Sequence, residues 1–182
     1  MKSPYRNTID SEYFNASHVE IRWEKTLSFI DKFHSDFGLD IGDRTPFSDQ
    51  LEVHYNCPFA NTTIDFDEDE LTGEYDVITA LEVIEHLFNP LHLLKEISSV
   101  LKEGGKLYLS TPKGKPRFLW SKDHFHEMNE KSLMSLINRA GFKMIRKDEI
   151  RIQPLSFYFS GIRPLFRLIY ERHWLMELEL KN

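Results

Sequence analysis

Apolar residues recur along this chain at two different spacings. Val19, Trp23, Leu27, Ile30 and Phe33 stand at helical steps and predict a first helix over 17–36. Gly38 breaks the pattern, and Leu39-Asp40-Ile41-Gly42 reads as a short buried strand ending on a glycine. Thr45-Pro46 is a helix start, a capping side chain followed by a residue whose fixed φ suits the first turn. Phe47 and Leu51 give that short helix an apolar side. Leu51 to Tyr55 and Asn61 to Phe66 read as the second and third strands, and Tyr75 to Ala80, set off by Gly73, as the fourth. Leu81 to Leu87 returns to helical spacing. Asn89-Pro90 opens a helix with Leu91, Leu94, Ile97, Val100 and Leu101 on one face, ended by Gly104-Gly105. Lys106 to Thr111 is a strand stopped by Pro112.

A loop from Lys113 to Glu127 precedes a helix over about Asn129 to Ala140, with Gly141 at the position that favours a left-handed residue. Phe142 to Arg146 and Leu155 to Phe159 read as the last strands, and Pro164 to Leu180 as a terminal amphipathic helix. Strands alternating with helices imply an α/β chain whose mostly parallel sheet is covered on both faces. Such sheets bind ligands beyond the carboxyl ends of their strands, at a switch in strand order. Those ends are Asp40-Gly42, Asp65-Asp67, Ala80-Glu82 and Thr111-Pro112.

Composition narrows the picture. A length of 182 residues suits one domain, 1–182, with room for a continuous core. The formal charge of -6 argues against nucleic acid, which needs clustered Lys and Arg. Cys57 is the only cysteine, so no disulfide closes within the chain and a reducing cytoplasm suits it. Met1 to Asp10 is polar and lacks the apolar run of a signal peptide. Nothing approaches the roughly 18 apolar residues of a transmembrane segment.

The stretch Tyr75-Asp76-Val77-Ile78-Thr79-Ala80-Leu81-Glu82-Val83-Ile84-Glu85-His86-Leu87, with Asn89-Pro90, Leu101-Lys102-Glu103-Gly104-Gly105 and Ser110-Thr111-Pro112 after it, resembles the class I S-adenosylmethionine-dependent methyltransferases. The match is strongest to the small-molecule branch that includes quinone-biosynthesis enzymes. His124-Phe125-His126-Glu127 and Ala140-Gly141-Phe142 extend it, so that it covers roughly Gly38 to Ile145. The resemblance implies a Rossmann-like doubly wound sheet, mostly parallel with an antiparallel last strand. It also implies S-adenosylmethionine as cofactor and a small-molecule methyl acceptor. The family's first motif is an acid followed by three alternating glycines. Here it reads Asp40-Ile41-Gly42-Asp43-Arg44-Thr45-Pro46, and only the first glycine is present. Arg44 would either turn inward to the cofactor's carboxylate or help obstruct the pocket, because Pro46 stiffens the turn.

By the same resemblance Asp40, Gly42, Ala80, Leu81 and Glu82 line the cofactor pocket, with Asp40 placing its methionine end. Glu82 also reads as an acid favoured in a helix's first turn. Asp65 and Asp67 would accept from the adenine amine, or from ribose hydroxyls if their strand is really the second. They also begin an acidic run, Asp65 to Glu70, of the kind that is commonly just solvated. His86, His124 and His126 are the candidate catalytic groups, a histidine serving as base for a hydroxyl nucleophile. His86 could equally be a structural hydrogen-bonder, and the histidine loop could simply pack over the sheet edge. The His124-x-His126 pair with Glu127 invites a metal reading, but no third ligand follows from the sequence and no metal site is assigned. The apolar segment 155–180 is expected to cover the sheet, and a homodimer through it is open. Two other functions compete with methyl transfer. One is a non-catalytic or weakly binding module with a degenerate glycine motif. The other is a dinucleotide oxidoreductase, disfavoured because G-x-G-x-x-G is absent after the first strand.

Overall fold

A computed structural model describes residues 17–181; residues 1–16, with the polar stretch Met1 to Asp10, and Asn182 lie outside them. The elements are α1 (Ser17–Phe29), β1 (Gly38–Asp40), α2 (Pro46–Tyr55), β2 (Phe59–Asn61), β3 (Tyr75–Leu81), α3 (Pro90–Val100), β4 (Leu101–Pro112), α4 (Glu130–Arg139), β5 (Phe142–Ile150), α5 (Leu155–Tyr158), α6 (Ile162–Tyr170) and β6 (His173–Leu180). Single 3-10 turns sit at Ile84–His86 and Arg117–Leu119. The strands form one sheet in the order β2-β1-β3-β4-β6-β5. β1 to β4 pair in parallel, and β6 runs antiparallel to both β4 and β5. The mostly parallel sheet with an antiparallel last strand is therefore as expected.

Alternate side chains of the central strands go to opposite faces. Ile78, Ala80, Leu107 and Leu109 join Leu94, Ile97 and Ile137 of α3 and α4 in one core cluster. Val77 and Tyr108 join Phe47, Leu51 and Tyr55 of α2 on the other face, with Trp23 and Leu27 of α1 packed alongside. The strand order reverses between β1 and β3, so the crevice of this topology lies at their carboxyl ends. There Asp40 is in register with Thr79 on one side and Asn61 on the other.

Several elements differ from the spacing-based reading. The first helix ends at Phe29 instead of 36, although Ile30 is buried and Phe33 still packs on the core. Leu51 to Tyr55 is not a strand. The helix begun at Thr45 runs through it, fixed by a capping box between Thr45 and Ser48. Phe47, Leu51 and Tyr55 share its buried face, while Val53 is 83% exposed, as helical rather than alternating geometry requires. The neighbouring strand is Phe59–Asn61, earlier and shorter than Asn61 to Phe66. Leu81 belongs to β3, and only Ile84–His86 makes a helical turn after it. α3 stops at Val100, well before Gly104-Gly105, which lie inside β4 where the register with β3 shifts. A Cβ on Gly105 would come within 2.9 Å of the Asp76 carbonyl oxygen, so glycine permits this close strand contact.

The C-terminal segment shows the largest difference. Residues 155–159 begin a short helix rather than a strand, and Pro164 to Leu180 splits into α6 and β6. β6 is buried on both faces, so Trp174, Leu175 and Met176 form a continuous apolar run without strict alternation. The segment does not simply cover the sheet: Phe159, Ile162, Leu165, Phe166 and Ile169 are exposed. Among the described residues no helix is long and apolar enough to cross a membrane.

β6 also carries Glu177, which is 1% exposed. It accepts from Lys106 Nζ of β4 at 2.5 Å and from Arg146 Nε of β5 at 2.5 Å. Arg146 donates onward to the Phe29 carbonyl at 2.6 Å and pairs with Asp31, tying the end of α1 to the sheet. Removing Glu177 leaves two cations competing for Asp31 alone. Glu177→Ala should cost about 3 kcal/mol, the low end for breaking a buried pair because Lys106 and Arg146 both reach solvent. Denaturant unfolding at neutral pH measures it.

Candidate functional site

The crevice is built first from β1. Asp40 ends that strand 7% exposed, its carboxylate accepting from the hydroxyls of Ser48 and Thr79, each at 2.6 Å. Burial pushes its carboxyl up, against the lowering effect of those bonds, of Asn61 and of Arg44's charge. Gly42 follows with φ +119, a conformation open to glycine, and a Cβ there would meet nothing within 4 Å. Its N–H donates to Thr62 Oγ1 at 3.1 Å. Asn61, unremarked in the sequence, reaches in from β2. Its amide donates to the Asp40 carbonyl and to Ser48 Oγ, leaving a buried Oδ1 with no partner.

Arg44 turns away from this crevice. Its guanidinium donates to Asp49 at 2.5 Å, Glu52 at 2.8 Å and the Phe59 carbonyl at 3.3 Å, holding the start of α2 against β2. Asp65 and Asp67 lie beyond β2. Asp67 accepts from the N–H groups of Phe88 and Asn89 at 3.2 and 2.6 Å, and Asp65 accepts from Asp67 N–H.

At the end of β3, Ala80 is fully buried and Leu81 half-buried. Glu82 has φ +57, an uncommon conformation for a residue with a side chain. Its Oε1 accepts from Ser110 Oγ at 2.8 Å, and its Oε2 lies 2.7 Å from His173 Nδ1 at the start of β6. Burial would raise its carboxyl, but the His173 charge and hydrogen bond, with Arg22 and Ser110, outweigh that and hold it well below the ordinary range. Glu85 goes the other way. It is fully buried, and burial together with the Glu82 charge pushes its carboxyl well up. Glu85 Oε2 accepts from Thr111 at 3.2 Å, while its Oε1 is a buried atom with no partner.

A second group lies beside Glu85. The backbone carbonyl of Glu85 accepts from the N–H groups of Phe125 and His126, and the Phe88 and Phe125 rings pack 4.2 Å apart, which pins the loop 113–127. His86 and His124 meet edge to face with centroids 4.7 Å apart. His86 Nδ1 is 2.9 Å from the Asp123 carbonyl, and His124 Nδ1 is 2.9 Å from Glu127 Oε1. Glu127 is buried and pairs with Lys115 at 2.7 Å. Burial raises its carboxyl, but His124 and Lys115 more than offset it and hold it low. His126 stands apart, exposed, with Nε2 3.4 Å from the Phe88 carbonyl. An open cleft of about 330 Å³ lies against this loop, lined by Arg117, Trp120, Ser121, Lys122, His124 and Phe125.

The family model described as a methyltransferase domain matches residues 15–147, a span that holds both groups of residues apart from His173. The chain belongs to the class I S-adenosylmethionine-dependent methyltransferases. It is 33% identical over 78 residues to the ubiquinone biosynthesis O-methyltransferase of Shewanella pealeana, a match covering 41% of this chain and 33% of that protein. The chain thus spans about a third of the length of the curated relatives it matches. In fold it is similar to the N-methyltransferase NodS of Bradyrhizobium japonicum in complex with S-adenosyl-L-homocysteine, with a TM-score of 0.66 and 12% identity, over 98% of this chain and 95% of that one. It is also similar to the O-methyltransferase of a trans-AT PKS multienzyme of Brevibacillus brevis in complex with the same molecule. There the TM-score is 0.60 and the identity 14%, over 87% of this chain and 71% of that one.

This methyltransferase chain thus brings Asp40, Gly42 and Asn61 together at one end of the crevice and Glu82 with Glu85 at the other. It keeps Arg44, Asp67 and His126 in separate contacts. Asn61 was missed because the spacing set it at the start of a strand, whereas β2 ends on it. His173 carried no signal, because it lies in a segment with helical spacing. Ionised Glu82 contributes stability that is fully present above the ordinary glutamate value of 4.5 and is lost as pH falls through its lowered value near 2. Wild type should therefore lose more stability than Glu82→Gln over that acid window, as denaturant titrations at a series of pH values would measure.

Proposed function

We propose that this chain binds S-adenosylmethionine at the carboxyl ends of β1 and β3 and transfers its methyl group to a small hydroxylated acceptor in a reducing compartment such as the cytoplasm. The residues present fit the cofactor. The observation that supports this most is the end of β1, where the Asp40 carboxylate, the open space at Gly42 and the unpartnered Asn61 Oδ1 converge. Asp40 would accept from the methionine amine, and Asn61 Oδ1 supplies a buried acceptor for a cofactor hydroxyl or amine. When bound, the cofactor supplies an electrophilic methyl group on a positively charged sulfur.

The chain's own task is then to hold a nucleophile close and aligned, which accounts for much of the rate in such transfers. The cleft against loop 113–127 suits a planar acceptor, with Trp120 and Phe125 for stacking and Arg117 and Lys122 for an anionic group. His124 presents Nε2 while Glu127 holds Nδ1, the arrangement of an oriented general base for an acceptor hydroxyl. Ubiquinone biosynthesis O-methyltransferases among the relatives agree with oxygen as the accepting atom. His86 flanks that base, and His126 has no part in this arrangement.

Calorimetric titration with S-adenosylmethionine and its demethylated product tests the binding reading. Asp40→Ala should weaken binding by about 1.5–3 kcal/mol, and no binding by wild type at millimolar cofactor would overturn the proposal. A weakly binding module is the second reading. Arg44 favours it, because two carboxylates must release that guanidinium before it could reach a cofactor. In an active enzyme, His124→Ala should lower turnover by about 10²–10⁴ while cofactor affinity holds. Normal turnover of that variant would remove the base.

A further inference from the structure

We propose that Glu85, His86 and His124 form a binding site for a divalent transition-metal ion. One ligand atom from each of the three lies within 4.8 Å of the others. Ligand atoms around a four-coordinate ion with bonds of about 2.0–2.1 Å stand about 3.3 Å apart, so closure takes a shift of at most about 1.5 Å. Small side-chain rotations supply that, because the exposed His86 has room to turn.

The hydrogen bonds around the two imidazoles prepare them as ligands. The Asp123 carbonyl can only accept, so the proton of neutral His86 sits on Nδ1 and its Nε2 carries a lone pair. Glu127 Oε1 lies 2.9 Å from His124 Nδ1 and its other oxygen pairs with Lys115, so a neutral His124 likewise donates from Nδ1 and leaves Nε2 free. A carboxylate or carbonyl behind a ligating histidine fixes its tautomer and orientation, as at established metal sites. Here both histidines have such a partner, and the Glu127 partner is itself anchored by Lys115.

Glu85 provides the third and independent indication. It is a fully buried carboxyl whose Oε1 has no hydrogen-bond partner, beside two imidazoles. A buried polar atom left unpaired is costly unless something meets it. Thr111 holds only the other oxygen, which leaves Oε1 to the ion. Two imidazoles and one carboxylate suit zinc, iron or cobalt better than magnesium or calcium, which prefer oxygen donors. Three protein ligands leave open positions, and His124 also lines the cleft, so an oxygen of a molecule in the cleft can complete the coordination.

An ion here and a free imidazole base are alternatives at His124 Nε2. In the loaded chain the ion itself would acidify a bound hydroxyl. The site can be tested without cofactor or acceptor, so its failure is distinguishable from failure of the methyl-transfer reading. Chelator-treated protein titrated with Zn²⁺ by calorimetry should bind one ion, and Co²⁺ should give a visible absorption band of low-symmetry coordination. His86→Ala and His124→Ala should each weaken Zn²⁺ at least ten-fold, and Glu127→Gln about 10–100-fold through His124. His126→Ala should leave affinity unchanged and Mg²⁺ should not compete. Thermal melts of each variant without metal establish that it folds. No Co²⁺ band with wild type would overturn the site. So would unchanged Zn²⁺ affinity in a folded His86→Ala/His124→Ala variant, or loss of binding in His126→Ala.

Discussion

The arrangement of charge in this molecule depends on one strand. β6 enters between β4 and β5 and satisfies both of their edges, so its side chains from His173 to Leu178 are buried on both faces. A charge in that buried stretch must be met by a charge from a neighbour, because an ion buried alone is too costly to keep. Glu177 meets Lys106 and Arg146, and His173 meets Glu82. The first pairing draws the end of α1 onto the sheet. The second fixes the carboxylate that follows β3 and so shapes one side of the crevice.

From that second pairing follows the contrast between Glu82 and Glu85. The two acids leave β3 together, Glu85 fully buried and Glu82 half-buried, and burial with like charge nearby does not allow both to ionise freely. His173 resolves the competition in favour of Glu82. Glu85 is left as the carboxyl with an open oxygen, and it stands where His86 and the pinned loop bring His124. The contrast in charge between these two acids is therefore set by a strand at the far end of the chain.

The altered glycine turn has a similar logic. Arg44 replaces a small residue of the family pattern and finds its partners in Asp49 and Glu52 of the helix it precedes. Thr45, Pro46 and Ser48 then cap that helix, and Ser48 supports Asp40 from behind. The turn has exchanged flexibility for a stiffer helix start. It still keeps the glycine whose backbone conformation and open side leave space at the end of β1.

The sequence alone was enough for the alternation of strands and helices, the capped helix starts at Thr45 and Asn89, and the carboxyl ends at Asp40 and Glu82. Each of these rests on local chemistry, a cap, a fixed φ or a period of apolar residues, that operates within a few residues. The strand order and the placement of the last third of the chain belonged to the tertiary structure. β6 is buried on both faces, so its run Trp174-Leu175-Met176 loses the alternation that marks a half-exposed strand and is easily taken for one side of a helix. The reading of Leu51 to Tyr55 failed in reverse, because Leu51, Val53 and Tyr55 alternate in sequence while the helix sets Val53 outward. The partners of Glu82 and Glu85 were likewise out of reach. His173 and Thr111 come from strands brought alongside only by the fold, and the charge state of a carboxyl depends on what surrounds it in space.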